Sequence, residues 1–84
     1  MSDSAAMAWY VVQTHHRDEA KAAFHLARQG FEAYYPRYRK LRRHARRTEE
    51  ILAPLFPAYL FVKIDVTRQQ WRAINSTLGV YRLI

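Results

Sequence analysis

Residues 54–65, PLFPAYLFVKID, decide the fold that the sequence predicts, because two prolines lead into a short run of large apolar side chains typical of a β-strand. Successive strand residues point to opposite faces of a sheet. Four apolar residues therefore share one face, which is predicted to be core: Leu60, Val62, Ile64 and Val66. The other face combines aromatic and charged residues: Tyr59, Phe61, Lys63 and Asp65. This second face is predicted to meet a partner.

Five further segments have strand or helix patterns. WYVVQ at 9–13 is predicted to be the first strand, and a helix is expected from Asp18 to Gln29 before Gly30. Its apolar residues have helical spacing, with Leu26 beside them: Ala20, Ala23, Phe24 and Ala27. FEAYYPRYRKL at 31–41 is expected to form a second strand, with Pro36 at a sheet edge or bulge. Capping-box spacing at Thr67 and Gln70 predicts a second helix that ends at Gly79, and VYRLI is the last strand.

The resulting order, βαββαβ, predicts an α+β domain of the ferredoxin-like type, with one antiparallel sheet and both helices on the same face. The other sheet face is then open, and Trp9, Val11 and Gln13 lie on it beside Tyr59 and Phe61. An exposed apolar surface of this kind marks a binding site. The alternatives are a covering element elsewhere or dimerisation through this face.

Composition limits the protein to a single small domain. The 84 residues contain no cysteine, which excludes disulfides and thiolate metal sites. No apolar run approaches the roughly 20 residues that span a bilayer, and no secretory signal is present, so a cytoplasmic protein without membrane contact is expected. Residues 1–8 are predicted to be a disordered tail and residues 9–84 the folded domain, which is expected to be a monomer.

Positive charge is concentrated between the second and third predicted strands. Seven of the 14 basic residues lie at positions 37–47 without an intervening acid, within a formal charge of +7. Such a cluster favours polyanions. A hairpin tip that binds nucleic acid is therefore predicted, with these residues: Arg42, Arg43, Arg46 and Arg47. The alternative is a solvated loop that binds nothing.

Three motifs in the same order, WYVVQT, PLFPAYLFVKID and INSTLGVYRLI, resemble the amino-terminal (NGN) domain of the NusG family of transcription elongation factors. HLARQGFEAYYP and PLFPAYLFV resemble the specialised RfaH-like members most. The resemblance implies an antitermination regulator whose open sheet face binds the clamp coiled coil of RNA polymerase and opposes pausing. It also implies that the family's C-terminal helix, linker and KOW barrel, which contacts ribosomal protein, are absent from this chain.

The resemblance assigns two groups of site residues. The implied polymerase-binding residues are Val11, Phe56, Pro57, Tyr59 and Phe61. Residues at positions that read non-template DNA in RfaH-like members are His25, Arg28, Gln29 and Asn75. Gln13 and Leu78 depart from the RfaH-like pattern, which has an aromatic residue and an arginine at these positions.

The sequence carries no pattern of a catalytic, metal or cofactor site. Its four histidines are scattered, no aspartate lies in a nucleophile motif, and both glycines follow predicted helices. We therefore expect no enzyme and no cofactor. A single-stranded RNA-binding module is the main alternative, because similar sheets stack bases on exposed aromatic residues. A hydrolase of the acylphosphatase type ranks last, because the glycine-bearing anion loop is missing.

Overall fold

The computed structural model describes residues 7–84, which form one α-helix and six strands. The elements in chain order are β1 (Ala8–Thr14), α1 (Glu19–Arg28), β2 (Glu32–Tyr34), β3 (Arg37–His44), β4 (Arg47–Pro54), β5 (Tyr59–Ile64), a 3₁₀ helix (Trp71–Ile74) and β6 (Val80–Leu83). Four strands form the main sheet in the order β2-β5-β1-β6, and β3 pairs with β4 in a separate two-stranded sheet. All neighbouring strands are antiparallel. The predicted α+β fold is confirmed.

The core lies between one face of the main sheet and α1. The fully buried side chains come from the two central strands, α1 and the 3₁₀ helix: Val12, Leu26, Leu60, Val62, Ile64 and Ile74. The predicted inward face of β5 is therefore correct for Leu60, Val62 and Ile64. The next two positions were assigned wrongly, because β5 ends at Ile64. Asp65 is buried in the following turn and Val66 is exposed.

The second predicted helix is wrong, since only the 3₁₀ helix Trp71–Ile74 forms there. The hydroxyls of Ser76 and Thr77 both donate to the carbonyl of Ala73, at 3.1 and 2.8 Å. Such local side-chain bonds compete with the backbone bonds of a longer helix. The short helix still contributes Ile74 to the core, on the same sheet face as α1.

The predicted apolar residues of α1 are only partly inward: Leu26 is in the core and Ala23 packs against it, but Ala20, Phe24 and Ala27 are exposed. Glu19, Ala22 and Leu26 are buried, whereas Phe24 is 57% exposed. Alanine-rich helices give a weak orientation signal, because alanine contributes little hydrophobic contrast between faces. The close approach of Gly79 to Ala22 fixes the orientation instead: a Cβ added at Gly79 would lie 2.9 Å from the Ala22 nitrogen.

The predicted second strand is two strands in different sheets. β2 ends at Tyr34 and forms an edge of the main sheet, and β3 begins at Arg37. Pro36 lies between them in neither strand, so its predicted position within an edge strand or bulge is wrong. A two-residue turn joins β3 to β4, with positive φ angles of 49° at Ala45 and 66° at Arg46, as in a type I′ turn. The basic segment is therefore a long β-hairpin on a molecule that measures 57 × 25 × 20 Å.

The N-terminal boundary differs by one residue from the prediction, because β1 begins at Ala8 and pairs there with Ile64. Residues 1–6 of the predicted tail lie outside the described residues. Within residues 7–84, no helix has the length and apolar character needed to cross a bilayer.

Candidate functional site

The outward face of the main sheet carries a row of large aromatic and apolar side chains. We call this surface the aromatic face; it consists of Trp9, Val11, Tyr34, Phe56, Tyr59 and Phe61. The strand register brings its members together, because Val11 lies opposite Phe61 on one side and Tyr34 lies opposite Phe61 on the other. Within the described residues, α1 and the 3₁₀ helix pack on the opposite side of the sheet, so they leave these side chains accessible.

Four rings of the aromatic face, those of Trp9, Tyr34, Phe61 and Phe56, lie next to one another in a chain. The ring centroids of Trp9 and Tyr34 are 6.4 Å apart, those of Tyr34 and Phe61 are also 6.4 Å apart, and Phe56 meets Phe61 edge-on at 5.7 Å. Edge-on contacts of this kind stabilise ring pairs beyond their buried area. The Lys63 ammonium lies 6.0 Å from the Trp9 ring centroid and adds a cation at the border. The surface is therefore a preformed aromatic platform.

A tight turn before β5 places Phe56 on this platform. The Tyr59 amide donates to the Phe56 carbonyl at 3.0 Å, and Ala58 has a left-handed φ of 69°. The Ala58 amide donates to Oε2 of Glu19 at 2.8 Å, and this carboxylate is buried. Since buried donors need partners, the start of α1 holds the turn in place.

Pro57, which the resemblance also assigned to the polymerase-binding residues, lines a different surface. It borders a groove with His16, Arg17, Tyr35 and Lys40, between the N-terminal end of α1 and the base of the hairpin. Burial raises the pKa of the Tyr35 hydroxyl, and the nearby Glu19 carboxylate adds to this shift. The structure therefore separates Pro57 from the aromatic face, although Phe56 precedes it directly.

Tyr34 is the site residue that the sequence reasoning missed. It is 57% exposed and links Trp9 to Phe61, but the predicted strand 31–41 gave no reason to select it. The sequence did contain a signal: Glu32 and Tyr34 are two residues apart, so they share one face of a strand, and the following Pro36 favours a strand end or an edge there. Trp9 was expected on the open face and is found there.

The second predicted group, on α1 and after the 3₁₀ helix, has mixed surroundings. Arg28 and His25 lie next to the exposed Phe24 ring: the Arg28 guanidinium is 5.7 Å from its centroid and the His25 ring is 5.1 Å away. Gln29 instead donates from Nε2 to the Thr77 hydroxyl at 2.7 Å. Oδ1 of Asn75 accepts a 2.7 Å bond from the Leu83 amide. Two members thus already make bonds that hold neighbouring segments together.

The third predicted group lies at the end of the β3–β4 hairpin. Arg42 and Arg43 belong to β3, Arg47 begins β4 and Arg46 is in the turn. All four are exposed. The hairpin carries them away from the main sheet, so the basic group and the aromatic face are separate surfaces of the molecule.

Comparison with known proteins identifies the family. The NusG family model, described as "Transcription termination factor nusG", matches residues 7–84. The chain belongs to the NusG family. The match extends over all the residues that the structure describes, from β1 to the end of β6, and it confirms the resemblance drawn from the three motifs at the level of the family. The search of curated proteins gave no significant match.

The NusG family is a family of transcription factors, and its members generally bind RNA polymerase. Residues 7–84 contain no group of three or more histidine and carboxylate side chains that could hold a metal ion. The bond from the Thr67 hydroxyl is the chief cause that lowers the pKa of Asp65. Asp65 also accepts from the Thr67 amide at 2.9 Å. Its arrangement caps the turn after β5, which is a structural role.

Proposed function

We propose that this NusG-family domain is a cytoplasmic regulator of transcription elongation, with antitermination activity, that binds the clamp coiled coil of RNA polymerase through its aromatic face and opposes pausing. The observation that supports this is the platform formed by Trp9, Tyr34, Phe56 and Phe61 on the outward face of the main sheet, where Trp9, Tyr34 and Phe56 are exposed and Phe61 is half-buried between them. Members of the NusG family generally bind RNA polymerase, and the platform offers a cluster of rings to such a partner.

The chemistry of the platform fits a helical protein partner. Interface anchors are enriched in tyrosine, tryptophan and phenylalanine, and they act best when clustered in one patch. Tyr59 and Phe61 both come from the central strand β5 and both pair with β1, and Phe61 is also paired with Tyr34 of β2 on the other side. Binding then costs little ordering of the backbone, so most of the burial free energy of the rings is available to the complex.

Nucleic-acid contacts complete the proposal. We assign the exposed hairpin arginines to nucleic acid held by the polymerase, since clustered cations bind phosphates. Phe24, His25 and Arg28 form an exposed group with ring faces and a guanidinium that suit unstacked bases of the non-template strand, as in RfaH-like members. Gln29 and Asn75 would support this surface through their bonds to Thr77 and Leu83.

The test is the double variant Tyr59→Ala, Phe61→Ala in a binding assay with core RNA polymerase without nucleic acid. Loss of two clustered anchors should weaken binding by about 2 kcal/mol or more, roughly 30-fold. Phe24→Ala is the matched control: Phe24 is equally aromatic and 57% exposed, but lies on α1 behind the sheet. Binding unchanged by the double variant, or equally weakened by the control, would refute the assignment.

Single-stranded RNA is the competing occupant of the same face, because exposed aromatic rings on a sheet also stack bases. The edge-on packing of Phe56 against Phe61 and of Trp9 against Tyr34 occupies part of the ring surface that bases would need. The double variant Tyr59→Ala, Phe61→Ala and the control Phe24→Ala, measured in an RNA-binding assay, distinguish RNA binding from polymerase binding. RNA affinity that falls with Tyr59 and Phe61 while polymerase affinity does not would favour the RNA-binding module.

A further inference from the structure

The β3–β4 hairpin carries cations on both of its faces. Strand alternation and the cross-strand register define the two sides. One face has Arg37, Arg39, Leu41 and Arg43, opposite Pro54, Leu52, Glu50 and Thr48. On this face the Glu50 carboxylate lies 3.8 Å from the Arg39 guanidinium in an exposed ion pair, which leaves Arg37 and Arg43 as the excess positive charge of this face. The other face has Lys40, Arg42 and His44, opposite Ile51, Glu49 and Arg47. Every residue of β3 is exposed, and the partly buried residues of β4, Ile51, Ala53 and Pro54, lie towards the base of the hairpin, so the outer part of the hairpin faces solvent on both sides.

This arrangement differs from a basic patch on a domain surface, where cations point to one side only. A surface patch can neutralise a single phosphate backbone. A hairpin with cations on both faces can contact negatively charged groups on both sides at once, because neither face is a continuous apolar surface that must pack against the core. The exposed Leu41 and Leu52 on the Arg39 face are isolated from the core of the main sheet.

The dimensions of the hairpin match a groove of double-stranded DNA. Eight residues in each strand give a length of about 27 Å at roughly 3.4 Å a residue. The major groove of B-form DNA is about 12 Å wide and admits a two-stranded β-ribbon. Cations two residues apart, such as Lys40 and Arg42, are about 6.8 Å apart along the strand, which is two steps of the duplex rise.

The base of the hairpin extends one of the two cationic rows. Lys40 borders the groove that also contains His16, Arg17, Tyr35 and the buried Glu19, whose carboxylate accepts from the Ala58 amide. Arg17 has a left-handed φ of 63° in the connection between β1 and α1. The row Arg42, Lys40 and Arg17 therefore continues from the ribbon onto the body of the domain, where a phosphate backbone leaving the groove would pass.

We propose that the hairpin inserts into the major groove of duplex DNA, with the Arg39 face against one phosphate backbone and the Lys40 face, extended by Arg17, against the other. The inference rests on the nucleic-acid contact proposed above for the hairpin and names its target. Duplex DNA is favoured over a single strand because a single backbone would occupy only one of the two rows. It is favoured over A-form RNA duplexes because their major groove is too narrow for side chains to enter.

The experiment measures binding of the 84-residue protein to a 20-base-pair DNA duplex by fluorescence anisotropy between 50 and 200 mM salt. Two variants each remove two cations from one face: Arg39→Gln with Arg43→Gln, and Lys40→Gln with Arg42→Gln. The slope of log K against log salt is negative, and each phosphate contact contributes about 0.9 to its magnitude, so each variant should make the slope shallower by about 1.8. The salt-induced loss of affinity then becomes about tenfold smaller over this range.

A charge-matched control, Arg72→Gln with Arg82→Gln, removes two exposed cations outside the hairpin and should leave the slope nearly unchanged. If only one of the two hairpin variants makes the slope shallower, the hairpin lies on the DNA surface with one face, and the proposed insertion into the groove is wrong. An equal effect of the control would show diffuse attraction, with the same consequence. Unchanged thermal unfolding of all three variants confirms that these exposed substitutions leave the fold intact.

A second duplex, with bulky glucosylated hydroxymethylcytosines that fill the major groove, tests the groove directly. We expect at least tenfold weaker binding than to the unmodified duplex of the same sequence. Equal affinity for both duplexes, or tighter binding to a single strand or an RNA duplex, would refute the proposal. The assay contains no polymerase, so its result is independent of whether Tyr59 and Phe61 bind the clamp.

Discussion

Replacing Gly79 by alanine tests how the chain holds β6 against α1, and Gly30 offers a matched control. The two glycines have almost the same left-handed φ, +88° at Gly79 and +90° at Gly30. They differ in their surroundings. A Cβ at Gly79 would lie 2.9 Å from the Ala22 nitrogen and 3.1 Å from its Cα and Cβ, whereas a Cβ at Gly30 would meet nothing within 4 Å.

The expected magnitudes follow from this difference. An alanine in the left-handed region costs about 1–2 kcal/mol of unfolding free energy, and both variants should show this loss. Overpacking a rigid contact costs a further 1–3 kcal/mol or so, because the neighbours of Gly79 are backbone atoms of a helix that cannot rotate away. Gly79→Ala should therefore destabilise the domain by about 2–5 kcal/mol, compared with about 1–2 kcal/mol for Gly30→Ala.

Urea denaturation at equilibrium, followed by far-ultraviolet circular dichroism, measures both variants. The fitted slope m should stay at the wild-type value while the midpoint falls, which would show that stability and not the surface exposed on unfolding has changed. For a domain of this size a loss of several kcal/mol approaches the whole stability. Equal destabilisation by the two substitutions would refute the argument, since it would mean that the close approach to Ala22 carries no cost.

Three further predictions concern single side chains. Asp65→Asn should be less stable than the wild type near neutral pH. Because folding lowers the pKa of Asp65, this difference in stability should disappear as the pH falls from 3.8, the ordinary pKa of an aspartate, through the lower folded-state pKa. Urea denaturation that shows a constant difference down to about pH 2 would contradict this. Glu19→Ala should cost about 1–3 kcal/mol of stability and also weaken polymerase binding, because the Ala58 amide loses its buried acceptor in the turn that carries Phe56. Glu19→Gln keeps an acceptor oxygen and should recover most of the stability and most of the affinity. Full polymerase affinity in the alanine variant would show that this turn does not contribute to the interface. Arg28→Ala should reduce discrimination among non-template DNA sequences in a paused complex by about 1–3 kcal/mol with little change in affinity for core polymerase, and an equal loss on every sequence would show that Arg28 only neutralises phosphate.

The sequence by itself determined the two faces of the central strand. In PLFPAYLFVKID the side-chain period of two, together with the contrast between aliphatic and aromatic or charged residues, is enough to place Leu60, Val62 and Ile64 in the core and Tyr59 and Phe61 outside. The family was likewise accessible from motifs in three strands. Both signals are local, since each depends on residues that adjoin in the chain.

Tertiary structure decided the features that depend on distant residues. The orientation of α1 follows from the Gly79 contact with Ala22, across more than 50 positions, and so Phe24 points outward against its helical pattern. Tyr34 joins the aromatic face only because β2 pairs with β5 and not with β3. The basic segment becomes a separate hairpin for the same reason. Once the chain breaks at Pro36, β3 pairs with β4 alone and outside the main sheet, so every β3 side chain, on both faces of the hairpin, is exposed to solvent.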